Sequence, residues 1–462
     1  MTELADLTAV ELVAGYRDRS MSPVEVLDAV LARVEALEPA LHATYALDPD
    51  GARAAANQSE QRWRSGEPAG PLDGVPVTVK ENIATAGVPV PQGTAATELL
   101  PATTDAPAAA LLRSSGAVIF SKTTMPEYGM LSSGVSTFHP LTRNPWDLSR
   151  TPGGSSAGAG AAAAAGYGPL HLGTDIGGSI RLPAGWCGVI GLKPTHGRVP
   201  VGVPYPGRAI GPITRTAADA GLLLAAISGY DRRDHTSYPS PGDSFSGPLD
   251  LAGVRIGLLL DAGLGLPVAP EVASAVRTAA NLVEKAGATV TEIGPIITRE
   301  MLDGLDRFWR IRSAYDLQAL PPERRAKVLP EIRDWADSAA GLTGLEVFHG
   351  FSQMGEMAVA VDQAFASYDF LISPVAPITA FAAELAYPTD DPLKPFEHIA
   401  FTVPYNMSGH PAVSVNCGYS REGLPIGLQL ASPRFTDMRL LSLAATIEAL
   451  VERRTWPGGC SG

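Results

Sequence analysis

The residues of this chain that could act on a carbonyl are serines seated in glycine loops and one lysine that ends a short apolar run. Between Thr151 and Arg181 the sequence holds Gly153-Gly154-Ser155-Ser156-Ala157-Gly158, an alanine run, and Asp175-Ile176-Gly177-Gly178-Ser179-Ile180-Arg181. Glycine admits positive φ and lets a substrate come close to the main chain. A serine hydroxyl attacks a carbonyl once something removes its proton. Attack on an amide carbonyl builds negative charge on oxygen, and backbone N–H groups aimed at that oxygen stabilise it. The consecutive amides of Ile176, Gly177, Gly178 and Ser179 could form such a nest, which makes Ser179 the candidate nucleophile. Ser155 and Ser156 could each supply a second hydroxyl or cap the helix expected through the alanine run, and capping suits Ser156.

The base has to come from elsewhere. None of the eight histidines is spaced to pair with these loops. Lys80 follows Val75, Val77 and Val79, whose alternation predicts a strand with one face buried. A free lysine has a pKa of about 10.4. Burial disfavours its charge and could bring it to roughly 7–8, where a neutral amine serves as a general base.

The flanking sequence predicts the elements that must hold these groups. Ser22-Pro23 opens a helix whose stripe is Val26, Leu27, Val30, Leu31, Val34 and Leu37. Gly70 to Gly74 is a turn, residues 106–112 a helix and 117–120 a strand. Residues 125–145 read as an irregular pocket wall. A helix is expected over 216–228, then a surface connection over 232–249. Strand 254–260, helix 271–286 and strand 288–293 make a βαβ rhythm, which implies a parallel or mixed sheet. Residues 299–365 are helical in character, with Phe308, Trp309, Tyr315, Trp335 and Phe348 expected mainly in the core. Strands at 370–375, 412–416 and 425–430 and a helix over 438–453 close the chain.

Composition narrows the function. Hydrophobic residues make up 45% and charged residues 18%, as in ordinary globular chains. The net charge of −13 argues against unaided nucleic-acid binding and against an anionic membrane surface. No apolar run approaches the roughly 20 residues of a membrane span. The three cysteines, Cys187, Cys417 and Cys460, are widely spaced, and no signal-peptide pattern opens the chain, so a cytoplasmic location is expected. No His/Cys/Asp cluster has metal-ligand spacing, and no metal or cofactor is expected.

The pieces Gly74-Val75-Pro76-Val77-Thr78-Val79-Lys80-Glu81-Asn82, Gly153 to Gly158, Asp175 to Arg181 and Gly191-Leu192-Lys193-Pro194-Thr195 resemble the amidase signature family. Asn406 to Ala412 and Gly423 to Gln429 are similar to its closing motifs. The match is dense over 72–197 and loose over about 228–400. The resemblance implies an α/β fold, a large twisted mixed β-sheet covered on both faces by helices. It implies one domain over 1–462, with a signature core at 72–197 and a variable pocket region at 228–400. It also implies a Ser–cis-Ser–Lys set: Ser179 as nucleophile, Ser155 as the bridging serine after a cis peptide, and Lys80 as base. The oxyanion would rest on the amides of Ile176 to Ser179. The expected activity is hydrolysis of a small linear carboxylic amide through an acyl-enzyme, with no cofactor. Tyr128, Gly129, Met130, Thr174, Trp309 and Tyr315 are the expected substrate-binding residues, suited to an apolar or aryl acyl group. No arginine stands out as a carboxylate clamp, with Arg181 and Arg312 the candidates.

Alternatives remain inside and outside the family. The A subunit of the glutamine-dependent tRNA amidotransferase works in a complex and hands ammonia to a partner. Other members act on lactams, hydrazides or carbamates, and members are often dimers, which leaves a homodimer open. Gly154-Ser155-Ser156-Ala157-Gly158 also fits the G-x-S-x-G elbow of α/β-hydrolases with Ser156 as nucleophile, although no HGGG-like loop accompanies it. A nucleotide-binding module built on the glycine loops lacks a G-x-x-x-x-G-K-[ST].

Overall fold

A computed structural model describes residues 3–389, 391–452 and 454. Among them, eleven strands form one sheet: β1 (Thr44–Tyr45), β2 (Pro76–Lys80), β3 (Val118–Thr123), β4 (Leu170–Asp175), β5 (Ile190–Lys193), β6 (Ala209–Thr214), β7 (Arg255–Leu258), β8 (Thr289–Glu292), β9 (Phe370–Pro374), β10 (Ala412–Tyr419) and β11 (Pro425–Ala431). Their order is β1-β3-β2-β4-β6-β5-β10-β11-β9-β7-β8. The neighbours β3, β2 and β4 run parallel, as do β9, β7 and β8. The strands between these blocks pair antiparallel. The fold is therefore α/β with a mixed sheet, as expected. The predicted βαβ unit is β7, the Pro270–Lys285 helix and β8.

The valine alternation understates β2. All five of its residues are buried, because it lies between β3 and β4 and both of its faces are covered. Val77 and Val79 share one hydrophobic cluster with Leu223 and Leu224 of the Ala217–Ile227 helix. Alternation turns Thr78 and Lys80 to the opposite face, where Lys80 meets the serines that precede the Ala157–Ala165 helix.

That helix explains the alanine run. Eight of its nine residues are buried, and only small side chains fit. A Cβ on Gly158 would lie 2.1 Å from the Ala43 carbonyl oxygen, and one on Gly160 would lie 2.8 Å from Pro183. The short Arg181–Cys187 helix packs against it. Its Pro183 falls in the first turn, where the missing N–H costs no helical bond. Ser22 caps the Pro23–Leu41 helix as expected, accepting from the Val24 amide.

Candidate active site

Parallel pairing brings the first two groups together. Val79 of β2 stands opposite Leu172 of β4, so Lys80 and Thr174 emerge side by side at the strands' carboxyl ends. In open α/β sheets that is where ligands bind. The Gly154–Ser155 peptide is cis. Lys80 Nζ is 2.8 Å from Ser155 Oγ, 3.0 Å from Thr174 Oγ1 and 3.1 Å from Ser156 Oγ. Asn82 Nδ2 donates to the same Thr174 hydroxyl at 3.2 Å. Lys80 is fully buried, and burial pushes its pKa down to about 7. The charges of Asp175 and Glu81 oppose that shift, and Arg208 adds to it. Near neutrality the amine thus has a lone pair available to a hydroxyl.

Ser156 does not cap the alanine helix. It occupies the N-cap position but makes no capping bond; its hydroxyl donates to the Thr174 carbonyl at 3.2 Å and meets Lys80. It is fully buried and lies off the cavity wall that Ser155 and Ser179 share. The hydrolase-elbow reading needs this hydroxyl exposed and does not hold.

Asp175 organises the second loop. Its carboxylate accepts from the amides of Gly178 (2.7 Å) and Ile180 (3.1 Å), from Asn406 Nδ2 (2.8 Å), and from Arg181 Nε and Nη2 (3.0 Å each). Burial alone would raise this carboxyl; the Arg181 guanidinium outweighs it and holds the group well below the usual carboxylate range. Arg181 also donates to Thr402 O, Gln429 Oε1 and Asn406 Oδ1 at 2.5 to 2.8 Å. All five of its N–H groups are thereby used, so Arg181 has none left for a substrate.

The expected amide nest is smaller by one. The Gly178 N–H is taken by Asp175, whereas the amides of Ile176, Gly177 and Ser179 have no partner among the described residues. Thr402 Oγ1 donates to the Gly177 carbonyl at 2.6 Å and fixes that peptide. Gly178 must be glycine: its φ is +124°, and a Cβ would lie 2.7 Å from Thr402 Oγ1. The Ser156 amide donates to the Ser179 carbonyl at 3.1 Å and ties the two serine loops together.

A cavity of about 310 Å³ opens over Ser155 and Ser179. Of the expected substrate residues, Tyr128, Gly129, Met130, Thr174 and Trp309 line it. Tyr315 does not; it is 75% exposed. On the Arg299–Gln318 helix the cavity face runs through Trp309, Arg312, Ser313, Asp316 and Leu317, at spacings of three and four. Tyr315 falls off that stripe. Phe308 packs on Phe351 instead. Asn82, Gln92, Arg208, Phe396 and Ile399 also line the cavity and were not foreseen; only Asn82, two residues after Lys80, carried a signal.

No described histidine lines the cavity. His171 is buried behind it, its Nδ1 2.8 Å from Thr78 Oγ1, and burial pushes its pKa down to about 3. Cys187 and Cys417 are buried and unpaired, and Cys460 lies outside the described residues. Among the described residues no group of three or more His, Cys, Asp or Glu side chains is placed to hold a metal ion, and no helix is long and apolar enough to cross a membrane.

The sheet and its helices have known counterparts. The amidase family profile matches residues 25–441. The A subunit of the glutamyl-tRNA(Gln) amidotransferase of Acidothermus cellulolyticus is 37% identical over 98% of this chain and 96% of its own length. A bacterial aryl acylamidase of the amidase signature enzymes superposes with a TM-score of 0.88 at 29% identity, covering 96% of both chains. A 6-aminohexanoate cyclic dimer hydrolase superposes with a TM-score of 0.86 at 28% identity, covering 98% of this chain and 99% of its own. The chain belongs to the amidase signature family.

Proposed function

We propose that this protein hydrolyses the C–N bond of a small carboxylic amide to a carboxylate and an amine or ammonia, through an acyl-enzyme on Ser179. One observation carries the reading. A buried lysine, its pKa brought down to about 7 by burial, is hydrogen-bonded only to hydroxyls, beside a cavity that Ser155 and Ser179 both line. Lys80 takes the Ser155 proton as Ser155 takes that of Ser179. The Ser179 Oγ adds to the carbonyl carbon. The oxyanion is received by the free amides of Ile176, Gly177 and Ser179. Ser155 then protonates the leaving nitrogen as the C–N bond breaks, and Lys80 returns a proton to Ser155. Water repeats the sequence on the ester and releases the carboxylate.

Met130, Trp309, Leu317, Ile332, Phe396 and Ile399 make much of the wall apolar, which suits an apolar or aryl acyl group. The aryl acylamidase superposition is in keeping with that. The 37% identity to an amidotransferase component favours a second reading, a glutaminase that is weak on its own and works with protein partners. Ammonia release from benzamide, propionamide, a γ-lactam, a hydrazide and glutamine separates the two. The first reading expects turnover of benzamide or propionamide by the isolated chain, lost in Ser179→Ala. Activity on glutamine alone, rising when the other amidotransferase components are added, would favour the second. A Ser179→Ala variant with near-parental rates would refute the nucleophile assignment under both.

A further inference from the structure

The cavity wall carries a cation with no counter-charge. Three charged side chains line it: Arg208, Arg312 and Asp316. Arg312 Nε is 3.4 Å from Asp316 Oδ2. Arg208 has no carboxylate or hydrogen-bond acceptor for its guanidinium among the described residues; the Tyr205 ring and Arg312 stand beside it, and its charge also reaches Lys80. The guanidinium carbons of Arg208 and Arg312 stand 5.3 Å and 4.7 Å from the centroid of that ring. Burial lowers the pKa of Arg208, and the neighbouring Arg312 charge lowers it further.

The fully buried arginines of the molecule have carboxylate partners, whereas the buried Lys122 and Lys193 donate to backbone carbonyls. Arg181 is paired with Asp175, Arg198 with Asp243 and Asp437, and Arg33 with Glu3 and Asp6. Removing a charge from water without a partner is costly. A chain of net charge −13 has carboxylates to place beside Arg208, yet none stands there. An open cavity beside the unpaired group leaves room for a ligand to supply the anion.

We propose that Arg208, with Arg312 beside it, is a specificity residue that binds a carboxylate carried by the substrate away from the scissile amide. The proposal rests on the amide-hydrolase reading above and adds the substrate class: amides bearing one negative charge. The planar fork of arginine suits a carboxylate. The apolar wall from Trp309 to Phe396 then receives the carbon skeleton between the two ends.

The test compares matched pairs, succinamate with butanamide and 4-carbamoylbenzoate with benzamide, in the parent enzyme, Arg208→Gln and Arg208→Lys. The charged member of at least one pair should have the higher kcat/KM by about tenfold or more, through KM, as expected for a charge-assisted hydrogen bond. Arg208→Gln should remove most of that preference, Arg208→Lys should restore part of it, and added salt should weaken it. Equal kcat/KM within both pairs overturns the proposal, as does an Arg208→Gln variant that loses both members of a pair equally. Calorimetry of 4-carbamoylbenzoate binding to Ser179→Ala, with and without Arg208→Gln, reads the same site without turnover. Affinity unaltered by Arg208→Gln overturns the proposal, and a drop of about tenfold supports it. Ser179-dependent cleavage of neutral amides without preference defeats only the anion site. Absence of any amide cleavage defeats the hydrolase reading, and the calorimetry then decides the anion site separately.

Discussion

If Lys80 works as an uncharged base, its titration must appear in the rate. An ordinary lysine near pKa 10.5 has only about one part in 3,000 neutral at pH 7, whereas a group held at about 7 is about half neutral there. The gap corresponds to ~5 kcal/mol by which the site disfavours the ammonium form, mainly through burial and net of the opposing charges of Asp175 and Glu81. The folded pKa lies below the unfolded one, so between about 7 and 10.5 the unfolded chain binds more protons. Across that window the Lys80 contribution to stability improves as pH rises. Activity follows the neutral form. The rate constant kcat/KM for a neutral amide, read by ammonia release from pH 5 to 9.5 at fixed ionic strength, should climb about tenfold per pH step below 6 and level off above roughly 8. No described histidine lines the cavity, and burial holds His171 and His398 at about 3 and His410 at about 4, below the window. Lys80→Arg keeps a cation but cannot deprotonate, and should lose about a thousandfold or more. A profile flat from pH 5 to 8, or a limb near 10, would refute the reasoning.

Two further substitutions probe the nucleophile loop. Asp175→Asn leaves the fully buried Arg181 guanidinium without its counter-charge, so thermal or denaturant unfolding should show a loss of about 3–5 kcal/mol; a loss under about 1 kcal/mol would mean that the pair does not hold the loop. Gly178→Ala places a Cβ 2.7 Å from Thr402 Oγ1 at a φ of +124°. It should cost about 1–3 kcal/mol and lower kcat more than KM changes, and parental kcat would show that the loop's shape is not needed for turnover.

How much of this was legible in the sequence varies from strand to strand. The valines before Lys80 marked β2, but alternation reports only the face that must be apolar, and β2 is covered on both because it has two parallel neighbours. β4 was not foreseen. Its buried His171 is satisfied by Thr78, 93 residues earlier, and no local pattern carries such a partner. β6 holds Gly211-Pro212, which reads as a break. β5 pairs only with Ile213 and Thr214 of that strand, so the proline, with no N–H to give, stands just beyond the pairing. The aromatics of 299–365 divide by helix face: Trp309 and Trp335 are buried, whereas Tyr315 and Phe348 are exposed.

The arginines show why local sequence misjudges which charge meets a substrate. Arg181 sits two residues from Ser179 and was, with Arg312, one of two arginines left open as a clamp although neither stood out. Its five donors all end on protein acceptors, so its charge is silent toward the cavity. Arg208 lies 27 residues beyond Arg181 in a Gly/Pro-rich stretch with no motif, and it is the cation that the fold leaves unpaired on the cavity wall. What distinguishes them is the number of acceptors within reach, a property of the packed molecule. Lys80 is the intermediate case, because its end-of-strand position was readable while its neutrality depends on how completely the sheet and the serine loops enclose it. A buried charge that is fully paired builds the site, and a half-buried one left unpaired beside an open cavity is available for function.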